Sequence, residues 1–359
     1  MLSVRRHRTL STIDSKDIAM KQIRLSQPAS IDQLHLATAE PRPPTAGEVL
    51  MRVHASSLNY HDYVVVTGGI PAVDGRVPMS DGAGEVIEVG PAVDAPTLQP
   101  PLAAGERVLS LFFPQWQDGR PSQARRKGVP GDHIDGYASE YVTVPAYALT
   151  RQPKGYTHAQ AATLPCAALT AWRALMVEGR LQPGEVVVMQ STGDVSLFAL
   201  QFAKAAGATV IATSSSDEKL ERLRQLGADH LINYRAQPKW ARVVTEITQG
   251  EGADHVVEVG GAETLVQSIH ACAVGGHISM IGVLTGVQGP VSTATLMSKN
   301  IRLQGITVGS CSQQLDMVRA IEANGVLPVI DRSFALEQIA EAFRHQASGR
   351  HFGKIVLDV

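Results

Sequence analysis

Residues 185–206 read EVVVMQSTGDVSLFALQFAKAA, and three kinds of chain follow one another inside them. Glu185 to Met189 is an apolar, β-branched run, the pattern of a strand buried on both faces. Gln190 to Ser196 is small and polar, which suits a tight turn. From Leu197 to Ala206, Leu197, Leu200 and Ala203, and again Phe198, Phe202 and Ala205, fall at helical spacing. Strand, turn and helix in that order form the unit that receives a dinucleotide diphosphate on a helix N-terminus, where unpaired N–H groups and the helix dipole face an anion. Against G-x-G-x-x-G only the central Gly193 is present, with Ser191 and Ser196 at the outer positions. Small residues there still allow close approach, so Ser191, Thr192, Gly193, Asp194 and Val195 are the candidate diphosphate contacts. Asp194 opposes this role, because two unit charges ~5 Å apart at an effective dielectric of 20 repel by roughly 3 kcal/mol. In the competing reading Asp194 is an N-cap, worth ~1 kcal/mol, with its side chain turned from the ligand.

Beyond this unit the same texture repeats. Apolar runs at Thr209 to Thr213, His230 to Tyr234, His255 to Val259 and His277 to Ile281 alternate with helical stretches, which predicts right-handed crossovers in a doubly wound parallel sheet, an α/β fold. An enzyme using NAD would end the second strand with an acid on the ribose 2′ hydroxyl. Here that strand runs into Ser214, Ser215 and Ser216, with Lys219 following and Tyr234 ending the next strand. Ser215, Lys219 and Tyr234 suit a 2′ phosphate, so NADP is favoured. Asp217 keeps NAD possible, and Ser215 with Glu218 also reads as a capping box.

Upstream, residues 20–156 are rich in Pro, Gly and short β-branched runs at Val49 to Val53, Val64 to Val66 and Glu85 to Val89, the pattern of short strands joined by turns. Downstream come helices over Gln313 to Ala323 and Leu336 to Gln346 and a last strand over Lys354 to Val359 that returns to the first domain. The expected division is a mainly β domain over 20–156 completed by 306–359, and a nucleotide-binding domain over 157–305. Residues 1–19 carry Arg5, Arg6 and Arg8 among hydroxyl residues, with no acid before Asp14. They read as a disordered extension, or as a mitochondrial targeting peptide.

The composition fits this plan. With 359 residues, 44 % hydrophobic and 18 % charged, the chain suits a soluble globular protein of about two domains. A net charge of −2 gives no global field for nucleic acid or anionic lipid, and the run Arg125, Arg126, Lys127 reads as a solvated loop. Cys166, Cys272 and Cys311 lie far apart without a C-x-x-C pair, which argues for a reducing compartment and against a cysteine-built metal site. Cytoplasm is the expected location, with the mitochondrial matrix as the alternative.

Five further stretches carry a resemblance: Ser57 to Asp62 (SLNYHD), Ser80 to Val86 (SDGAGEV), Leu164 to Trp172 (LPCAALTAW), Leu226 to Asp229 (LGAD) and His351 to Lys354 (HFGK). On these the chain resembles the zinc-free branch of the medium-chain dehydrogenases and reductases, the relatives of quinone oxidoreductase, from Met20 to Val359. The resemblance implies a GroES-like catalytic domain split around a Rossmann domain, with the active site between them. It implies Thr170 beside the nicotinamide, and backbone contacts from Ile281, Gly282, Val283, Ile306 and Val308 to its carboxamide. It also implies a homodimer pairing Rossmann sheet edges near Arg302 to Val308. Zinc-bearing relatives place ligands at the positions of Asn59, Ser80 and Cys166, of which only Cys166 is a zinc-type residue here, so no metal is expected.

Without a metal to polarise an alcohol, reduction of an activated alkene or quinone is the easier chemistry. The protein then has to position a substrate and aim donors at the oxygen where charge develops. Asn59, His61 and Tyr63, or Tyr60, offer such donors, with His61 suited to proton transfer near neutrality. The leading expectation is an NADP(H)-dependent reductase of a quinone or α,β-unsaturated carbonyl. The alternatives are an NAD(P)-dependent alcohol dehydrogenase and a catalytically silent binding protein whose cofactor turn has degenerated.

Overall fold

The computed structural model describes residues 19–92 and 100–359. Its strands are β1 (Met20–Leu25), β2 (Leu34–Ala39), β3 (Glu48–Ser57), β4 (Asp81–Val89), β5 (Arg107–Ser110), β6 (Tyr141–Pro145), β7 (Leu149–Arg151), β8 (Val186–Gln190), β9 (Thr209–Ser214), β10 (His230–Asn233), β11 (Ala253–Glu258), β12 (Cys272–Met280), β13 (Arg302–Gly305), β14 (Ile330–Ala335) and β15 (Lys354–Asp358).

Strands β8 to β13 form one parallel sheet in the order β10-β9-β8-β11-β12-β13. Numbered from β8 this is 3-2-1-4-5-6, the doubly wound order, whose direction reverses between β8 and β11. Val187, Val188, Met189, Val210, Ile211, Val256 and Val257 are buried, as strands covered on both faces require. The helix Asp194–Ala205 buries Leu197, Phe198, Leu200, Phe202 and Ala203 against this sheet, the face that their spacing predicts. The switch point places the ends of β8 and β11, at Gln190 and Glu258, under one crevice.

The second sheet is mostly antiparallel, in the order β14-β15-β3-β4-β5-β7, with β6 also pairing β3. The C-terminal strand β15 pairs antiparallel with β3 and parallel with β14. Residues from the far end of the chain thereby stand beside Ser57, where β3 leads into the segment Leu58 to Tyr63.

One predicted strand is absent. Val64 to Val66 close the helix Tyr60–Val66, because Asn59 and Asp62 form a capping box and Val65 and Val66 bury against the β1–β15 side of the core. The cap and the tertiary contacts outweigh the β preference of three valines. The segment 164–179 is helical throughout but wound wide, with π-helical stretches at Leu164–Ala168 and Arg173–Gly179 around Leu169–Trp172. The N-terminal arginine cluster lies outside the described residues.

Candidate active site

The crevice at the switch point opens into two chambers that share Tyr60, Ser191, Gly193, Asp194 and Leu284. The larger, about 560 Å³, lies between the two sheets; Val64, Ile70, Phe112, Val129, Ile281 and Val308 give it apolar walls, with Asn59, His61 and Asp132 among its polar groups. The smaller, about 350 Å³, is bordered by Tyr63, Lys219, His351 and Gly353. Together they offer a space in which a dinucleotide would fit.

The turn between them is built by its backbone. Ser191 has φ +71°, a conformation that favours glycine, and Gly193 is the N-cap of the helix that begins at Asp194. A Cβ on Gly193 would meet only Ser191 Oγ, at 3.9 Å, so the surface above it is open for close approach of a ligand backbone. This cradle fits a diphosphate.

Asp194 differs from both readings of the sequence. It is the first helical residue and not the cap, and its carboxylate is not bare: Oδ1 accepts from Val195 N at 2.8 Å and Oδ2 from Lys354 Nζ at 3.2 Å. Lys354 is only 1 % exposed and spends its other two donors on Leu58 O and Asn59 Oδ1, each at 2.7 Å. The ammonium balances the charge that would otherwise repel phosphate. Lys354 ends the motif His351 to Lys354, but the sequence carries no sign of this role, because nothing local connects residues 160 positions apart.

The remaining cofactor candidates divide. Thr170, Ile281, Gly282, Val283, Ile306 and Val308 line the larger chamber, and Thr192 and Lys219 the smaller. Thr170 Oγ1 donates to Cys166 O at 2.7 Å. Lys219 Nζ donates to Gly349 O at 3.0 Å and His351 O at 2.9 Å, and burial lowers its pKa. Ser215 and Tyr234 border neither chamber; Tyr234 is exposed. The helix cap is Ser216, whose Oγ accepts from Lys219 N, and not Ser215. Asp217 is engaged by Asn233 Nδ2 at 2.7 Å.

Glu258 was invisible to motif reading. It is fully buried, and its carboxylate accepts from Gln190 Nε2 (2.7 Å), Gly260 N (2.8 Å), Gly261 N (2.9 Å), Thr264 Oγ1 (2.6 Å) and Ser268 Oγ. It ties the end of β8 to the loop after β11, across the crevice floor.

In the larger chamber, Asn59 is buried and its amide is committed: Nδ2 donates to Ser80 Oγ at 3.1 Å and Oδ1 accepts from Lys354. Asp62 accepts from Asn59 N at 2.9 Å and Ser80 N at 2.8 Å, and burial raises its pKa. Burial also pushes Asp81 up to about 7, although Lys354 opposes the shift. His61 lines the larger chamber, edge-on to Phe112, while Tyr63 lies in the smaller one. The structure therefore does not bring Tyr63 to His61's chamber; Tyr60, which borders both, is the phenol that does reach it.

Residues 45–154 match the family described as alcohol dehydrogenase GroES-like domain, and residues 195–324 the family described as zinc-binding dehydrogenase. A zinc-type alcohol dehydrogenase-like protein of Schizosaccharomyces pombe is 41 % identical over 95 % of this chain and 100 % of its own. The chain belongs to the medium-chain dehydrogenase/reductase superfamily. It is an oxidoreductase of that superfamily, with a GroES-like and a Rossmann domain. A solved NAD-dependent alcohol dehydrogenase superposes with a TM-score of 0.86 at 32 % identity, covering 94 % of this chain and 99 % of that one. A quinone oxidoreductase of Pseudomonas syringae pv. Tomato DC3000 gives 0.79 at 26 % identity, covering 95 % and 100 %.

The name of the second matched family implies zinc, and the residues at the position of a catalytic zinc do not fit it. Asn59 and Ser80 supply an amide and a hydroxyl already bonded to each other, a lysine ammonium lies on the amide oxygen, and burial holds the Cys166 thiol well above its ordinary pKa. A nicotinamide dinucleotide does fit, through the Gly193 cradle.

Proposed function

We propose that this medium-chain family member is an NADP(H)-dependent reductase of quinones or α,β-unsaturated carbonyls that works without a metal. The observation that carries the reading is an apolar chamber whose reacting end presents an imidazole, His61, opening directly onto a diphosphate cradle. The turn from Ser191 to Asp194 holds the diphosphate, and Thr170, Ile281 to Val283, Ile306 and Val308 border the nicotinamide pocket. Lys219, which borders the smaller chamber, would leave the carbonyls of Gly349 and His351 to meet a 2′ phosphate, which favours NADP; Ser215 and Tyr234 play no part in this version. When bound, the reduced nicotinamide supplies the hydride.

The chain's own residues do the rest. Val64, Ile70 and Phe112 exclude water around a flat apolar substrate, which strengthens every polar contact inside. His61 gives a proton to the oxygen on which charge develops, with Tyr60 as a second donor and Asn59 holding the floor. The catalytically silent alternative loses its basis, because Lys354 balances Asp194 and the backbone at Ser191 adopts the turn a glycine would make. The homodimer we propose pairs copies through β13, the edge of the parallel sheet.

Equilibrium titration with NADPH and NADH, followed by assays of enone and quinone reduction against alcohol oxidation, tests this proposal. NADPH should bind more tightly, enone or quinone reduction should exceed alcohol oxidation, and His61→Ala should lower kcat by about two orders of magnitude. Faster alcohol oxidation, lost on treatment with a chelator, would instead establish a metal-dependent alcohol dehydrogenase.

A further inference from the structure

His61 has a partner from a distant loop. Asp132 is 6 % exposed and belongs to the cysteine-free segment Phe112 to Gly136. Its Oδ2 stands 3.1 Å from His61 Nε2, an ion-pair distance whose geometry is not yet that of a hydrogen bond, and its Oδ1 stands 2.5 Å from Nδ1 of His133 and accepts from the His133 backbone N–H. The carboxylate is the most buried of the three side chains, 5 % exposed, between the imidazole of His61 at 21 % and the imidazole of His133 at 59 %. All three border that chamber.

We infer that Asp132 is the positioning residue of His61: its carboxylate, at ion-pair distance from Nε2, orients the ring and leaves Nδ1 to meet the substrate, while His133 holds the second carboxylate oxygen at the solvent edge. This rests on the reductase reading for its consequence, but the pairing belongs to the ligand-free protein. The step balances simply. One hydride reaches carbon from the cofactor, one proton leaves His61 Nδ1 for the substrate oxygen, the neutral ring keeps its Nε2 proton against Asp132, and solvent returns one proton to Nδ1. Asp132 remains a carboxylate throughout.

The electrostatics around the ring agree. Burial alone would lower the pKa of His61, but the carboxylates of Asp132, Asp62 and Asp81 raise it overall. The other charged or titratable groups bordering the chamber are Tyr60, His133, Arg126, Cys166 and Asp194, and Arg126 is drawn over the Phe113 ring at 5.6 Å. Asp132 is the only one of the three carboxylates placed on the ring nitrogen, since Asp62 is committed to the backbone of Asn59 and Ser80.

Titration of the histidines by NMR in the cofactor-free protein tests the pairing directly. The His61 midpoint should lie above that of an ordinary histidine. Asp132→Asn should lower it by about one pH unit, and Asp132→Glu should restore part of the shift. In assays above both midpoints, Asp132→Asn should then lower kcat about ten-fold while the KM for the cofactor stays fixed, because the protonated fraction falls ten-fold for each unit. A wild-type midpoint at or below the ordinary value overturns the pairing without any variant having to fold. An unmoved midpoint in a folded Asp132→Asn protein overturns it equally. An elevated midpoint in a protein that reduces neither enones nor quinones would leave the pairing intact and refute the reductase reading alone.

Discussion

Asp194 and Lys354 show how one residue can read one way in sequence and act another way in the fold. A lone carboxylate at the first turn of the helix beneath a diphosphate is an obstacle; the same carboxylate 3.2 Å from a buried ammonium is half of a neutral pair. Removing one partner of a buried pair leaves the other uncompensated, at a typical cost of about 3 to 5 kcal/mol. Asp194 is 29 % exposed, which moderates the cost on its side, whereas Lys354 is 1 % exposed. Asp194→Asn should therefore tighten NADPH about ten-fold, since the ammonium then faces the diphosphate without its counterion, while clearly lowering the unfolding midpoint of the ligand-free protein, because the buried Lys354 is left without its carboxylate. Fluorescence titration and thermal denaturation of the same variant check both halves. Lysine at 354 and serine at 191 are each readable in sequence. Their roles are not, because one depends on a distant partner and the other on a backbone angle.

At the scale of elements, β11 and β12 bring His255 and His277 side by side in register, ring centroids 6.0 Å apart. His255 pairs with Glu185 at 2.9 Å, whereas both ring nitrogens of His277 lack partners among the described residues. Burial, with Arg302 and His255 adding to it, holds His277 down at about 4. Its folded pKa thus lies below the unfolded value of about 6.5, so the unfolded chain binds more protons between those limits. Stability should be fully present above the unfolded pKa, fall as the pH drops toward 4, and level off below. His277→Leu should flatten that part of the profile and leave stability at neutral pH nearly unchanged, as denaturant titrations at several pH values would show. The strands were legible in the sequence because a doubly covered sheet needs uninterrupted apolar runs. The helix Tyr60–Val66 was not, since the local preference of Val64 to Val66 points the other way and a capping box decided it.

For the whole molecule, the two sheets meet at a crevice to which both contribute, and β15 carries Lys354 from the antiparallel sheet to the helix of the parallel one. A ligand in that crevice should stabilise both domains together. NADPH at about a hundred times its Kd should add about 2.7 kcal/mol and move a single calorimetric transition upward. Movement of one of two separate transitions would show that the domains bind and unfold independently. The sequence by itself determined the α/β architecture, the strand, turn and helix over residues 185–206, and the family, because these rest on periodicities and short motifs in which neighbouring residues act together. It also named His61, which lines the larger chamber. Only the tertiary structure decided that Asp194 is neutralised by Lys354, that Glu258 secures the crevice floor, that Tyr60 and not Tyr63 shares a chamber with His61, and that Asp132 reaches the imidazole from a loop some seventy residues away in the chain. Each is a contact between charges or dipoles far apart in sequence, and its strength depends on burial and distance, which only the folded chain sets.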